Sequence, residues 1–277
     1  MEEKFGPKGN LMPRDVVSRE EYHVIRKWGT PIYLDTTVIP KELFRTSLTG
    51  FVDDCREYFH VDPETTPIPV LYGIHYFMGG VYVDPHHRTN LRGLYSAGEN
   101  ACQYHGANRL GGNSLLGAFF GGLVVAESII ADSGAETSEN IQVEDIDITP
   151  FLAPYAEKES QPGAHAETVT EFQKIMQQTL AISRDEETLT AGFAELEALE
   201  KHWHKVYDPF AAFDENILLE HRFILAKAMI LAARERKESR GAHNRSDYPE
   251  RNEAYEKTHL YEFTDGQIRL SWKKENE

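Results

Sequence analysis

Residues 105–122 read HGANRLGGNSLLGAFFGG. One histidine, His105, and one arginine, Arg109, stand among small and amide residues, immediately ahead of an apolar run. Positions without bulky side chains let backbone come close to a ligand. An arginine held there can grip a carboxylate through paired hydrogen bonds. Asn113 and Ser114 suit a helix start, whose first N–H groups and positive dipole end favour negative charge on a bound group. The alternative is a glycine-rich turn carrying a surface arginine, and the loop by itself leaves both open.

Three other segments carry residues of similar promise. GIHYFMGG sets His75 beside glycines, where it can donate to an anion or serve as a structural histidine. LYSAGE places Glu99 at the expected end of a short buried strand; an acid there binds ribose or ribityl hydroxyls, or is a solvated loop carboxylate. PRDVVSR groups Arg14, Asp15 and Arg19, which as a bare pattern is a charged helix start. The histidines of DPHHR and HWHK do not converge as adjacent or i,i+2 positions, so no metal site is expected.

The surrounding elements follow from periodicity. RDVVSREEYHVIRKW is helical, PIYLDTTVI (31–39) alternates like a strand, and 41–62 reads as one or two short helices. Residues 70–99 read as β-rich, with a Gly-Gly interruption that a bulge or close backbone approach explains. A helix is expected from about Ser114 to Ala131, and its apolar run with Gly117, Gly121 and Gly122 reads as a buried helix packed closely on a neighbour. From about 160 to 240 three apolar stripes of helical period predict a three-helix bundle. A hairpin is expected around Asp265-Gly266.

The bulk numbers exclude several classes. With 29 basic and 45 acidic residues among 277, the net charge of −16 argues against nucleic acid as a partner. Two cysteines, Cys55 and Cys102, with no CxxC, exclude a cysteine-ligated cluster in this chain and suit a reducing, cytoplasmic compartment. The first residues lack the apolar core of a signal peptide. The longest uncharged apolar run, Leu115 to Ala126, is short for a bilayer.

Taken together, RDVVSR, HYFMGGVYVD, GLYSAGE, HGANRLGGNSLL and ESRGAHNRSDYPERN occur in the order and approximate spacing of one family. The chain resembles the C-terminal half of the flavoprotein subunit of succinate dehydrogenase and fumarate reductase, a superfamily that includes L-aspartate oxidase. The resemblance implies an α+β chain: the end of a capping domain (1–68), the C-terminal segment of an FAD-binding domain of the two-dinucleotide-binding type (69–135), a helical bundle (136–240) and an irregular, hairpin-bearing tail (241–277). It implies FAD as cofactor and a C4 dicarboxylate, fumarate or succinate, as substrate. Arg14 would exchange a proton with one substrate carbon, which calls for a relay because a guanidinium rests charged. His75 and Arg109 would bind the dicarboxylate. Glu99 would hold flavin hydroxyls, and Asn113, Ser114 and Leu115 would meet the flavin ring at the helix start.

The chain departs from the family in two ways. No GxGxxG follows a strand, so a complementary N-terminal FAD-binding half is an expected partner, beside an iron–sulfur subunit that would bring it to the inner face of a membrane. The Glu99–Arg109 spacing is one residue shorter than usual. Two other readings stand: an L-aspartate oxidase-like enzyme, and a non-catalytic interaction remnant. The chain by itself is expected to bind FAD weakly or not at all, leaving a purified sample colourless. Tight stoichiometric FAD binding without a companion polypeptide, seen in a visible absorption spectrum, would overturn that expectation.

Overall fold

The computed structural model describes residues 1–133, 147 and 149–273. The chain divides into two compact units, Met1–Tyr76 and Phe77–Glu277. The expected boundary at 135/136 lies outside the described residues.

In the first unit, α1 (Glu2–Phe5) is tied to α2 (Arg14–Trp28) by Lys4 and Glu20 at 2.6 Å. Gly29, at φ 64, closes α2 by donating its N–H to the Ile25 carbonyl, a left-handed cap that glycine adopts without strain. The strand expected over 31–39 is only β1 (Ile32–Leu34), paired antiparallel with β2 (Ile68–Val70) so that Ile32 faces Val70. Asp35 ends it early: its carboxylate accepts both the N–H and the hydroxyl of Thr37, folding the chain into a turn. Two helices, α3 (Lys41–Thr46) and α4 (Thr49–Tyr58), follow, and Phe44, Val52, Cys55 and Ile68 are buried.

The β-rich expectation for 70–99 does not hold beyond Val70. From there to residue 101 the pairing among the described residues is by isolated bridges, Val81 with Ala101 and Arg88 with Tyr95. A local competitor wins: the Asp84 carboxylate accepts N–H groups from His86 and Arg88, and His87 takes a left-handed φ of 62, so 84–88 is a turn. The Gly-Gly interruption is a close approach. Any side chain on Gly80 would collide with the Asn100 carbonyl, to which Val81 donates at 2.7 Å.

In the second unit, α5 (Asn113–Ser133) is followed by α6 (Thr149–Ala156) and by the bundle helices α7 (Ala164–Thr179), α8 (Glu186–Trp203) and α9 (Phe213–Glu235). The bundle buries Ile175, Leu189, Leu196, Trp203, Leu219, Phe223 and Ile230. Asp185 caps α8 by accepting the Thr188 N–H at 2.8 Å. A short parallel pair, β3 (Glu159–Ser160) and β4 (Val206–Tyr207), lies with β4 against α7 and α8. The hairpin of β5 (Thr258–Thr264) and β6 (Gln267–Lys273) turns at Asp265 (φ 53) and Gly266 (φ 74), the two positive angles of a type I′ turn.

The tail between α9 and the hairpin is fixed by buried charge. Arg245 is fully buried, grips Asp247 through two bonds of 2.7 and 2.8 Å, reaches Glu186 at 3.2 Å, and donates to the Ala233 carbonyl at 2.8 Å. Glu238, also fully buried, accepts from Arg236, Arg240 and the Asn252 N–H. His243 donates to the Arg236 carbonyl, and its other nitrogen faces Arg184.

Two outcomes follow from this packing. A Cβ on Gly192 would overlap the Thr179 side chain where α7 and α8 cross. Gly192→Ala should therefore cost about 1–3 kcal/mol as overpacking, measured by urea unfolding, with partial recovery when Thr179→Ala is added. The second concerns pH. Burial first and neighbouring arginines second (Arg184 for His243, Arg236 for His259) lower both histidines to about 4. Between that value and the ordinary 6.5 the unfolded chain binds protons that the folded chain does not, so stability falls as pH drops through this window, by at most about 3 kcal/mol per histidine. The thermal midpoint should decline from pH 7 to 4.5, and His243→Gln should flatten the slope. A midpoint constant over that range would contradict the burial of both rings.

Candidate active site

Arg14 and His75 belong to the first unit, whereas Glu99, Arg109, Asn113, Ser114 and Leu115 belong to the second. Arg14 opens α2 and is exposed. Asp15, the nearest acid in sequence, pairs with Arg19 at 3.1 Å in the i,i+4 geometry that a helix provides. His75 is exposed and lies outside any helix or strand, and Tyr72, three residues earlier, packs edge-on against Tyr22 of α2. Tyr72 thus packs on the helix that begins with Arg14.

In the second unit the 105–112 loop leads into α5. Arg109 is half-buried, with its guanidinium donating to the Leu110 carbonyl at 3.3 Å. His105 lies against Gly117 of α5, one turn into the helix, where a Cβ would come within 3.4 Å of the imidazole Nε2. Burial, and then the Arg109 charge, hold His105 below the usual histidine range, which keeps it neutral beside the guanidinium. Glu99 is not at a strand end. It stands in a 3₁₀ turn, Gly98–Asn100, exposed, with one carboxylate oxygen accepting the Phe77 N–H at 2.8 Å. Gly98, at φ 66, makes that turn possible and sits against Ala118 of α5.

A second layer of residues escaped the sequence reading. His87 is buried and donates from Nδ1 to the Ser96 carbonyl at 2.7 Å, which leaves Nε2 as the acceptor facing the Tyr104 hydroxyl and the Gln103 amide, each at 3.0 Å. Tyr104 fills the space over Gly121, where any side chain would collide with its hydroxyl. The signal for this layer was present in the four-residue spacing of Gly117 and Gly121, which puts both on one helix face.

The rest of α5 corrects the expectation of a buried helix. Gly117, Gly121 and Ser128 are buried, while Leu115 is 67% and Phe119 76% exposed. At 21 residues it is long and apolar enough to cross a bilayer by length and composition, contrary to the reading from the shorter uncharged run. Its packed face is polar at one end, however. Ser128 donates to the His86 carbonyl, and Asp132 accepts two bonds from Arg88 and one from the Tyr95 hydroxyl. Arg88 and Tyr95 together pull Asp132 down to about 2. Those contacts are of a helix belonging to a folded unit.

The arrangement at the start of α5 fits a flat, anionic cofactor. Gly106, Gly111 and Gly112 have open space where a Cβ would stand, and φ is 55 at Gly106 and 83 at Gly112. The helix start offers first-turn N–H groups, and Leu115 adds exposed apolar surface. Among the described residues no group of His, Cys, Asp and Glu is placed to hold a metal.

Residues 1–115 match the family model "FAD binding domain", and residues 169–276 match "Fumarate reductase flavoprotein C-term". The first match identifies FAD as the cofactor. The chain is 32% identical to the succinate dehydrogenase flavoprotein subunit of Bacillus subtilis (strain 168), over 91% of this chain and 46% of that protein. It is 33% identical to an L-aspartate oxidase of Rhodospirillum rubrum, over 88% and 80% respectively. Among solved structures, an E. coli quinol fumarate reductase superposes with a TM-score of 0.82 at 28% identity, covering 95% of this chain and 48% of that one. The chain therefore spans about half the length of most of these relatives, and it belongs to the succinate dehydrogenase/fumarate reductase flavoprotein family, with L-aspartate oxidases among its relatives.

Proposed function

We propose that this chain is the C-terminal portion of an FAD-dependent oxidoreductase that interconverts fumarate and succinate. The observation that carries the reading is the 105–115 loop. It joins a half-buried Arg109, kept beside a neutral His105, to glycines with open space and an exposed helix start. Bound FAD would supply hydride transfer to or from one carbon of the dicarboxylate.

The chain's own residues do the rest. In the second unit Arg109 would bind a carboxylate through paired N–H groups; His75, in the first unit, is the residue to which the resemblance assigns a dicarboxylate contact, and holding a substrate at its carboxylates orients the double bond for reaction. Arg14 delivers or takes the proton at the second carbon. Asp15 does not reload it simply, since that carboxylate is engaged by Arg19. Glu99 would accept hydrogen bonds from hydroxyl groups of the cofactor, and the Ser114 and Leu115 N–H groups would stabilise negative charge on its ring, the Asn113 N–H being engaged by the Leu110 carbonyl at 3.2 Å. The missing contacts would come from a complementary N-terminal FAD-binding half, and electrons from an iron–sulfur subunit at the inner face of a membrane.

One observation favours a second reading. The Rhodospirillum L-aspartate oxidase is covered over 80% of its length, which supports oxidation of an amino-dicarboxylate. The match of the tail, 169–276, to the fumarate reductase C-terminal model supports the first. The protein purified from its host with its accompanying polypeptides should reduce fumarate with reduced viologen, and Arg109→Lys should lower kcat/KM by about 100-fold or more, roughly 3 kcal/mol of lost transition-state binding. Turnover of L-aspartate with oxygen and none of fumarate would select the second reading. A yellow protein inert toward both would overturn the two together.

A further inference from the structure

The tail loop after α9 touches the 105–109 loop directly. The Ala242 N–H donates to the Ala107 carbonyl at 2.9 Å. Gly241, at φ 58, lies so close to that carbonyl that any Cβ would collide with it, and the same Cβ would stand 2.9 Å from the Asn108 Cβ. The loop that makes this contact is closed on itself, with Arg240 and His243 exchanging N–H···O bonds of 2.8 and 3.1 Å. It is anchored on both sides by buried charge: Arg240 on Glu238 before it, Arg245 on Asp247 and Glu186 after it.

We propose that Gly241 and Ala242 are positioning residues for Arg109: the tail loop sets the height of the Ala107 carbonyl, and with it the direction in which the guanidinium two residues later meets a substrate carboxylate. Two demands coincide at position 241, a left-handed backbone and no room for a side chain, and only glycine meets both. The 105–112 loop contains three glycines, whose backbones are freer than those of other residues. An external hydrogen bond from a charge-anchored loop adds a constraint at Ala107. The inference rests on the reading of Arg109 as a carboxylate ligand.

The test uses the protein purified from its host with its accompanying polypeptides, in three variants: Gly241→Ala, Gly241→Asn and Arg109→Lys. Asparagine tolerates the left-handed backbone, so Gly241→Asn relieves strain in the tail loop while its Cβ still pushes on Ala107. It keeps the test open if Gly241→Ala fails to fold. Both substitutions at 241 should raise KM for fumarate about tenfold with kcat changed less than about threefold, the signature of weakened uniform binding. Without fumarate or turnover, hydrogen–deuterium exchange should quicken in the peptide covering 103–110 and stay unchanged in α7 to α9. A folded Gly241→Asn protein with unaltered KM and exchange, while Arg109→Lys raises KM, overturns the positioning role alone. An unaltered KM in Arg109→Lys overturns the carboxylate reading and this inference with it.

Discussion

The second unit depends on the buried guanidinium of Arg245. A charge taken out of water is costly unless every donor is matched, and removing a partner of such a group costs more than the pair contributes. Here the matches come from three places: Asp247 in the tail, Glu186 at the first residue of α8, and the last carbonyls of α9. One side chain therefore ties a helix start, a helix end and a loop that would otherwise be irregular chain. Glu238 repeats the logic with opposite sign, surrounded by Arg236 and Arg240. The tail is ordered by charge satisfaction more than by apolar burial, and the bundle beneath it by the reverse.

The start of α5 is supported differently. Gly117 and Gly121 leave room for His105 and Tyr104 to lie on the helix, and the Tyr104 hydroxyl reaches the buried His87. Small residues on a helix create a seat for large ones on a loop. The loop bearing Arg109 is thus bounded on one side by α5 and on another by the tail, although its own sequence specifies almost no shape.

Legibility in the sequence tracked the range of the determining interaction. The bundle helices and the Asp265-Gly266 turn rest on local periodicity or on backbone freedom and could be read from residues alone, whereas the Gly-Gly interruption left a bulge and a close approach open until the structure placed Gly80 against the Asn100 carbonyl. The strand expected over 31–39 stopped at Leu34 because the Asp35 side chain offered Thr37 a better local partner than a ladder did. Glu99 was expected at a strand end and stands in a 3₁₀ turn, since the left-handed Gly98 redirects the chain one residue earlier. The pairing of Gly241 with Ala107 joins positions 134 apart in sequence. No periodicity or motif spacing reports a contact of that range, so the tail was legible as a resemblance and not as a buttress.

The hold on α5 has a mechanical consequence. Its firm polar attachments, Ser128 to the His86 carbonyl and Asp132 to Arg88 and Tyr95, lie in its last two turns, while its first turns rest on a glycine seat. A helix of this length is a rod of about 30 Å, and one clamped at the far end behaves as a cantilever. A small rotation at the clamp becomes a larger displacement at Asn113 to Leu115, so residues remote from the tip share in setting its position with the seat that Gly117 and Gly121 make for His105 and Tyr104. Hydrogen bonds from Arg88 and Tyr95 lower Asp132 to about 2, so this clamp is an ion pair at neutral pH.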